Sequence, residues 1–367
     1  MNPTIWIFSL EPIETRYTKQ WHEHLPKLLK KQLGNDYQVV QIDGVQKNTQ
    51  PTPGAFLNFS DTNYWKSSQM CEFLEHYNQG EVGDRDHLIF TDAWNPVIVQ
   101  IKYMNDLLGH HWTTHGLWHA GSYDPQDFLG RLIGDQPWVR HAEKSMFHSL
   151  DHNYFATDFH INMFCEALLD DGAGTSPWFD DVKEDLIADQ KIVRTGWPME
   201  YLNDELLMYR GMTKRNLVLF PHRIAPEKQA DIFRDLKHQL PQYEFVVCQE
   251  QQLSKNEYHN LLGEAKLVFS ANLQETLGIS WYEGAVLGAI PMVPDRLSYQ
   301  EMALDTFKYP SEWTESFSDY QRNRDRVVAQ VVDYIENYET YLPNLNKQVE
   351  KLEKDYFSCR ELLKQFK

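Results

Sequence analysis

Short apolar runs rich in β-branched residues alternate with longer segments of helical periodicity along this chain of 367 residues. The first pattern is typical of buried strands, and the second of amphipathic helices. In the first half, strands are predicted at 4–9, 38–42, 87–91, 112–118, 154–156 and 191–194, and helices at 20–33, 66–77 and 97–108. Strands that alternate with helices in this way predict an α/β fold built on parallel sheets.

The same alternation restarts in the second half, after residues 205–215. Here strands are predicted at 216–220, 244–248, 266–270 and 290–294, and helices at 226–239, 255–262 and 278–287. The turn-rich stretch 169–179 predicts a surface loop, and the last fifty residues predict helices interrupted at Pro343. We therefore predict one α/β domain over 1–210, a second over 211–317, and C-terminal helices over 318–367 that cross back to the first domain.

The composition narrows the class of protein and its compartment. Hydrophobic residues make up 42% of the chain, enough for packed cores, and no apolar run is long enough for a membrane helix. The cysteines lie far apart without a CxxC pair, which favours reduced thiols and a cytoplasmic location. The net charge of −18 disfavours broad binding to phosphate backbones, and no clear basic amphipathic helix predicts a membrane partner.

The segment with the most chemical information is 274–291, which reads QETLGISWYEGAVLGAIP. Glu275 precedes a predicted helix that contains Glu283, with seven residues between the two glutamates. Gly278 lets the backbone approach a ligand closely, and the first turn of a helix offers unpaired N–H groups that suit a diphosphate. The two carboxylates are then placed to reach sugar hydroxyls and a ribose. The alternative is an amphipathic helix whose glutamates are only solvated.

This string resembles the E-x7-E motif of the retaining GT-B glycosyltransferases, a large family that includes bacterial mannosyl- and glucosyltransferases. The resemblance is strongest over residues 214–305. It implies two Rossmann-like domains that face each other across a cleft. It also implies transfer of a sugar from a UDP- or GDP-sugar to a hydroxyl acceptor, with retention of anomeric configuration. The nucleotide sugar would be a co-substrate, with no further cofactor and no metal.

The resemblance also assigns roles to individual residues. Glu275 would contact the donor sugar and Glu283 the nucleotide ribose. The backbone around the helix start would hold the phosphates, which makes the donor-binding set Thr276, Leu277, Gly278 and Glu283.

Upstream, family members carry an Arg and a Lys in the loop after a strand, and Arg223 and Lys228 occupy these places. Both would stabilise the leaving diphosphate, because fixed cations lower the barrier to forming an anion. By the same resemblance His119, after a predicted strand, would face the donor sugar. The alternatives are an ordinary solvated loop for the two cations and a structurally bonded histidine for His119.

The loop after the first predicted strand departs from the family, because many relatives have a glycine-rich loop there and this chain has none. The loop still lies at the carboxyl end of a parallel strand, where open α/β sheets bind ligands. Acceptor-side candidates are therefore Glu11, Glu14 and Arg16, together with Asp92 after the third strand. Capping or salt-bridge roles are the alternative.

The sequence lacks the motifs that are typical of other classes of enzyme. The DxD string 84–86 precedes a strand instead of following it, and no GxGxxG, GxSxG or Walker A string is present. His110, His111 and His115 have no Cys or carboxylate partner in the sequence that would complete a metal site. A rival from another class is a catalytically silent protein that binds nucleotide sugars.

The acceptor is predicted from resemblance alone. The compact length and aromatic-rich first half look like the phage transferases that glycosylate 5-hydroxymethylcytosine in DNA. The expected partners are thus a nucleotide sugar and hydroxymethylated DNA. Other acceptors are a modified tRNA base, a saccharide precursor or a small metabolite.

Overall fold

The computed structural model describes residues 2–13, 17–47, 58–134, 136–169 and 177–366. The chain forms two compact units, Met1–Met199 together with Cys359–Lys367, and Glu200–Ser358. The division therefore precedes residues 205–215, the segment in which the sequence analysis placed the boundary. The C-terminal helical segment is divided between the units, and its last residues, Cys359–Lys367, belong to the first unit, as the predicted crossing back requires.

The first unit contains a six-stranded parallel sheet in the order β2-β1-β3-β4-β5-β6. Its strands are β1 (Thr4–Phe8), β2 (Gln38–Ile42), β3 (His87–Phe90), β4 (Thr113–Leu117), β5 (His152–Phe155) and β6 (Ile192–Arg194). Its helices are α1 (Tyr17–Leu33), α2 (Phe59–Asn78), α3 (Val97–Leu108), α4 (Phe128–Ile133), α5 (Pro137–Ser149), α6 (Asp158–Leu168) and α7 (Pro177–Ala188). All five residues of β1 are buried, as expected for a central strand with helices on both faces of the sheet.

The second unit contains a five-stranded parallel sheet in the order β11-β10-β9-β7-β8. Its strands are β7 (Arg215–Phe220), β8 (Glu244–Val247), β9 (Ala265–Phe269), β10 (Ile290–Pro294) and β11 (Lys308–Tyr309). Its helices are α8 (Tyr201–Leu206), α9 (Ala230–Gln239), α10 (Lys255–Glu264), α11 (Ile279–Val286), α12 (Tyr299–Met302), α13 (Phe317–Glu336) and α14 (Tyr338–Asp355). A last helix, α15 (Arg360–Lys364), belongs to the first unit.

Both sheets are doubly wound with the same strand order. The first strand of each unit lies between the second and the third. The connection after β1 therefore runs towards one edge of the sheet and the connection after β3 towards the other, and the same holds for β7 and β9. Open α/β sheets bind ligands at this switch point, outside the carboxyl ends of the strands. The loops that matter for a site are therefore those after β1 and β3 in one unit, and after β7 and β9 in the other.

The predicted α/β class is confirmed, and three local predictions are corrected. The helix predicted at 226–239 begins only at Ala230. Residues Pro226–Lys228 form a separate 3-10 turn, because the left-handed φ of 53° at Gln229 interrupts the helix between them. The loop predicted at 169–179 ends where α7 begins at Pro177, while 170–176 lie outside the described residues.

The third correction concerns Pro343, which lies inside α14 instead of ending a helix. The break lies at Asn337, between α13 and α14. A proline removes one backbone hydrogen bond, and burial of the apolar face of α14 through Tyr338, Leu345 and Leu352 outweighs that loss. Over the described ranges, no helix has the length and apolar character needed to cross a bilayer.

Candidate functional site

The loops after β7 and β9 are joined in the second unit. The Leu273 N–H donates to the carbonyl of Glu227 at 2.7 Å. The Lys228 ammonium donates to the carbonyl of Gln274, and its Nζ lies 3.5 Å from Glu275 Oε2. Only 7% of the Lys228 side chain and 17% of the Glu275 side chain are exposed. Two of the residues that the sequence analysis singled out thus form one partly buried ion pair.

The Glu275 carboxylate lies at the start of α11. The Leu277 N–H donates to Oε1 at 3.5 Å, and Asn272 Nδ2 lies 3.4 Å from Oε2. The amides at a helix start carry partial positive charge, so this position stabilises an anion. Neighbouring Thr276 and Leu277 are both buried. The backbone that the sequence analysis assigned to phosphate binding is therefore already in contact with a carboxylate.

Gly278 is required at the start of α11 for two reasons. Its φ is 83°, in the left-handed region that disfavours other residues. A Cβ at this position would lie 2.4 Å from the Cδ1 and Nε1 atoms of Trp281 and 3.4 Å from the Cδ of Glu275. Trp281 itself is buried and donates from Nε1 to the carbonyl of Leu277 at 3.2 Å. The helix start is thus locked in one geometry.

Arg223 is held by a buried carboxylate. Its Nε and Nη2 donate to Glu227 Oε1 at 3.0 and 2.6 Å. The Glu227 side chain is fully buried, whereas 32% of the Arg223 side chain is exposed. This contact orients the guanidinium and leaves part of it accessible. The turn that carries Lys228 therefore also positions Arg223.

A cavity of about 360 Å³ lies beside Arg223, a size within the usual range of ligand pockets. Its lining includes Arg223, Cys248, Gln249, Gln252, Leu253 and Tyr258. The Tyr258 hydroxyl donates to Glu283 Oε2 at 3.0 Å. Burial and the Glu283 carboxylate raise the pKa of Tyr258 well above its usual value, so the phenol remains a donor. Glu283 is therefore bound by a tyrosine that lines the cavity.

His222 adds no positive charge to this site. Burial, together with the nearby Lys228 ammonium, lowers the pKa of His222 to about 3, so the imidazole is neutral. Its Nδ1 lies 3.5 Å from the Ser280 hydroxyl in the first turn of α11. The positively charged groups near the start of α11 are therefore Arg223 and Lys228.

His119 lies in the first unit with hydrogen bonds on both ring nitrogens. The carbonyl of Thr91 accepts from Nε2 at 2.6 Å, and the Tyr17 hydroxyl lies 2.7 Å from Nδ1. Its ring packs edge-on against Trp197, with the ring centroids 3.7 Å apart. These contacts are those of the structurally bonded histidine that the sequence analysis kept as an alternative. A sugar contact through either nitrogen would have to displace one of these partners.

The acceptor-side candidates in the first unit divide into two groups. Glu11 and Asp92 line one small cavity at the carboxyl ends of β1 and β3. Thr62 donates to Glu11 Oε2 at 3.0 Å, and Lys66 donates to Asp92 Oδ2 at 2.9 Å. The other two candidates, Glu14 and Arg16, lie outside the described residues.

The structure corrects one statement about the histidines. His110 and His111 do have a carboxylate neighbour, because their Nδ1 atoms lie 3.2 and 3.0 Å from the oxygens of Asp84. Asp84 precedes β3 and the histidines precede β4, so parallel pairing of these strands brings the three together. Among the described residues, no group of His, Cys, Asp and Glu side chains could hold a metal ion.

Lys214 closes the other end of α11. Its Nζ donates to the carbonyls of Leu287 at 2.7 Å and Ala265 at 2.9 Å. Burial lowers the pKa of Lys214 from 10.5 to about 7. The helix that begins at the candidate site is thus held at its carboxyl end by a lysine that titrates near neutral pH.

We expect Lys214 to make the unfolding free energy rise between pH 7 and 9. Its pKa is lower in the folded state, so in this window the unfolded state binds more protons, and stability then rises with pH. Denaturant titrations at both pH values, on the wild type and Lys214→Met, measure this contribution. The unfolding free energy of Lys214→Met should rise less between these pH values than that of the wild type. The control Lys237→Met, at an exposed lysine, should show the same rise as the wild type. Equal rises in all three proteins would contradict the assignment.

Several residues of the site were not predicted from the sequence. Glu227 orients Arg223, Tyr258 binds Glu283, and Asn272 contacts Glu275. Glu227 and Asn272 lie close in sequence to predicted residues, so their proximity to the motifs was a usable signal. Tyr258 lies 25 residues before Glu283, and no local pattern connects them.

Comparison with known proteins establishes the fold. No protein-family model matches the chain, and no curated protein matches its sequence. The catalytic domain of starch synthase IV from Arabidopsis thaliana, bound to ADP and acarbose, is 11% identical with a TM-score of 0.57, covering 100% of this chain and 98% of that chain. Sucrose-phosphate synthase from Thermosynechococcus elongatus has the same identity, TM-score and coverage.

A third solved structure agrees with these two. The apo form of the lipopolysaccharide outer core galactosyltransferase WaaB is 10% identical with a TM-score of 0.53, covering 100% of this chain and 99% of that chain. At such low identity the likeness concerns the fold. This chain therefore has the GT-B fold of these glycosyltransferases, as the sequence analysis predicted.

Proposed function

We propose that this protein is a glycosyltransferase that moves a sugar from a UDP- or GDP-sugar to a hydroxyl acceptor with retention of configuration. One observation carries the proposal. The Lys228–Glu275 pair lies at the start of α11, where Gly278 is required, and the adjacent turn positions Arg223 at a cavity of suitable size. Cations and helix amides at one place are the arrangement that a departing diphosphate needs.

The proposed roles follow from where charge develops. When the bond between the sugar and the diphosphate breaks, the diphosphate takes the electron pair, and Arg223, Lys228 and the α11 amides stabilise the new charge. Glu275 binds hydroxyls of the donor sugar, and Glu283 binds the ribose. The acceptor hydroxyl attacks from the face that the diphosphate leaves, and a phosphate oxygen takes its proton. This scheme contains no step that requires a metal.

The two glutamates should have separable effects. We expect Glu275→Gln to lower kcat by about 100-fold with a small change in nucleotide affinity, because it removes a charge that acts on the reacting sugar. Glu283→Gln should instead raise the Kd for UDP or GDP by about 10-fold, because a charged hydrogen-bond acceptor is lost. Calorimetric titration and initial rates measure both effects. Exposed Glu339→Gln is the control, and the opposite pattern would exchange the two roles.

The acceptor part of the proposal rests on sequence resemblance to phage transferases. We propose 5-hydroxymethylcytosine in DNA as the acceptor and the cytoplasm as the location. The experiment supplies a panel of UDP- and GDP-sugars with hydroxymethylated DNA, unmodified DNA, tRNA and simple glycosides, and measures sugar transfer. Transfer only to hydroxymethylated DNA supports the full proposal, whereas transfer only to another acceptor rejects the DNA assignment.

The same panel separates a transferase from a silent binding protein. A transferase hydrolyses its nucleotide sugar slowly when water is the only acceptor, and with the correct acceptor it transfers the sugar rapidly and releases the nucleoside diphosphate. Binding of UDP or GDP without either reaction, across all donors, would contradict catalysis and favour the binding protein.

A further inference from the structure

Arg296 is a partly buried cation that is bonded to backbone carbonyls. It follows β10, and its Nε donates to the carbonyl of Asn272 at 2.7 Å. Its Nη2 donates to the carbonyls of Ala271 at 2.8 Å and Thr314 at 3.1 Å, and its Nη1 to that of Ser311 at 3.0 Å. These partners are neutral oxygens, although buried charges are more often paired with opposite charges. Arg296 thus joins the loop after β9 to the segment before α13.

Gln229 binds two of the same carbonyls. Its Nε2 donates to Ala271 at 2.6 Å and to Thr314 at 2.7 Å. Its φ of 53° is left-handed, a conformation that glycine adopts more readily. Leu297, directly after Arg296, also has a left-handed φ of 58°. Backbone strain of this kind concentrates at functional sites, where the surrounding structure maintains it.

Each of these two residues is connected to one member of the candidate ion pair. Gln229 directly follows Lys228 in the chain. On the other loop, Arg296 binds the carbonyl of Asn272, whose Nδ2 lies 3.4 Å from Glu275 Oε2. The Tyr299 hydroxyl accepts from the same Nδ2 at 2.9 Å, which further fixes the Asn272 side chain beside Glu275.

We propose that Arg296 and Gln229 are positioning residues that clamp the carbonyls of Ala271 and Asn272 and so set the geometry of Lys228 and Glu275. The inference rests on the proposed function for its catalytic consequence. The clamp itself consists of hydrogen bonds to the loop after β9, so its effect on the mobility of that loop can be tested without any substrate.

Gln229→Gly tests the clamp with little risk to folding. Arg296 still binds both carbonyls in this variant, and glycine relieves the left-handed backbone, so the unfolding temperature should not fall. Gln190→Gly is the matched control, because Gln190 has a φ of 58° in the first unit and its backbone contacts remain. Hydrogen exchange over residues 271–277 should accelerate in Gln229→Gly and stay unchanged in Gln190→Gly. Unchanged exchange in both would overturn the clamp.

The catalytic consequence is a loss of kcat without loss of donor binding. We expect Gln229→Gly to lower kcat by about 10-fold and Arg296→Ala by about 100-fold, since small displacements of reacting groups have effects of this size. The KM for the donor should change less, and added guanidinium should restore part of the activity of Arg296→Ala. Exposed Arg326→Ala is the control.

Two failures are distinguishable. An inactive wild type with accelerated loop exchange in Gln229→Gly rejects the proposed function and keeps the clamp. An active wild type, with normal kcat in both clamp variants and no guanidinium effect, rejects the positioning role.

Discussion

Lys228→Ala is expected to lower kcat by about two to three orders of magnitude, the usual effect of removing one group that stabilises developing charge. The ammonium is almost buried, so little water shields its charge, and it lies beside Glu275 at the start of α11. Its charge is useful mainly after the sugar–phosphate bond has begun to break. The loss should therefore appear in kcat more than in the KM for the donor, and initial rates over a range of donor concentrations measure both.

Two further variants make this result specific. Lys237→Ala removes an exposed lysine from the last turn of α9 and should keep full activity. Arg223→Ala should fall in the same range as Lys228→Ala, with an added loss of stability because it leaves the buried carboxylate of Glu227 without this partner. Near-normal kcat in both Arg223→Ala and Lys228→Ala would remove the proposed diphosphate site.

Gly278→Ala is the second change with a large expected effect. The left-handed φ alone costs about 1–3 kcal/mol for a residue with a side chain. The added methyl would also contact the Trp281 ring at 2.4 Å, so the ring or the helix start must shift. A shift of about 1 Å at the site lowers turnover by about 100-fold. Nucleotide affinity should fall as well, because the amides proposed to bind the phosphates would move.

Gly211→Ala separates the cost of the left-handed backbone from the effect of the collision with Trp281. Gly211 has a φ of 74° in the same unit, with nothing within 4 Å of an added Cβ. It shares the backbone cost without the collision, so it should lower the unfolding free energy and leave kcat and the nucleotide Kd unchanged. If Gly278→Ala behaves like Gly211→Ala in all three measurements, the start of α11 does not bind the donor.

Local patterns in the sequence were sufficient for strands β1 to β10 and for the central motif, whereas the two-residue strand β11 was not predicted. Strand β2 has the predicted bounds, and Glu275 and Gly278 lie where the motif placed them, before and at the start of α11. These features depend on neighbouring residues, because burial of a strand and the geometry of a helix start are set over a few positions. Pro343 shows the limit of such patterns, since packing of α14 outweighed a local helix-breaking signal.

The contacts that complete the site required the tertiary structure. Arg296 lies 24 residues after the Asn272 carbonyl that it binds, and Tyr258 lies 25 before Glu283. The parallel order β10-β9-β7-β8 brings the loops after β9 and β10 to one edge of the sheet, and α10, which carries Tyr258, contacts α11, which carries Glu283. Periodicity predicts which residues are buried, whereas partners on different loops or helices follow from strand order and register. The motif therefore identified a candidate anion site, and the order of the strands supplied the side chains that hold it.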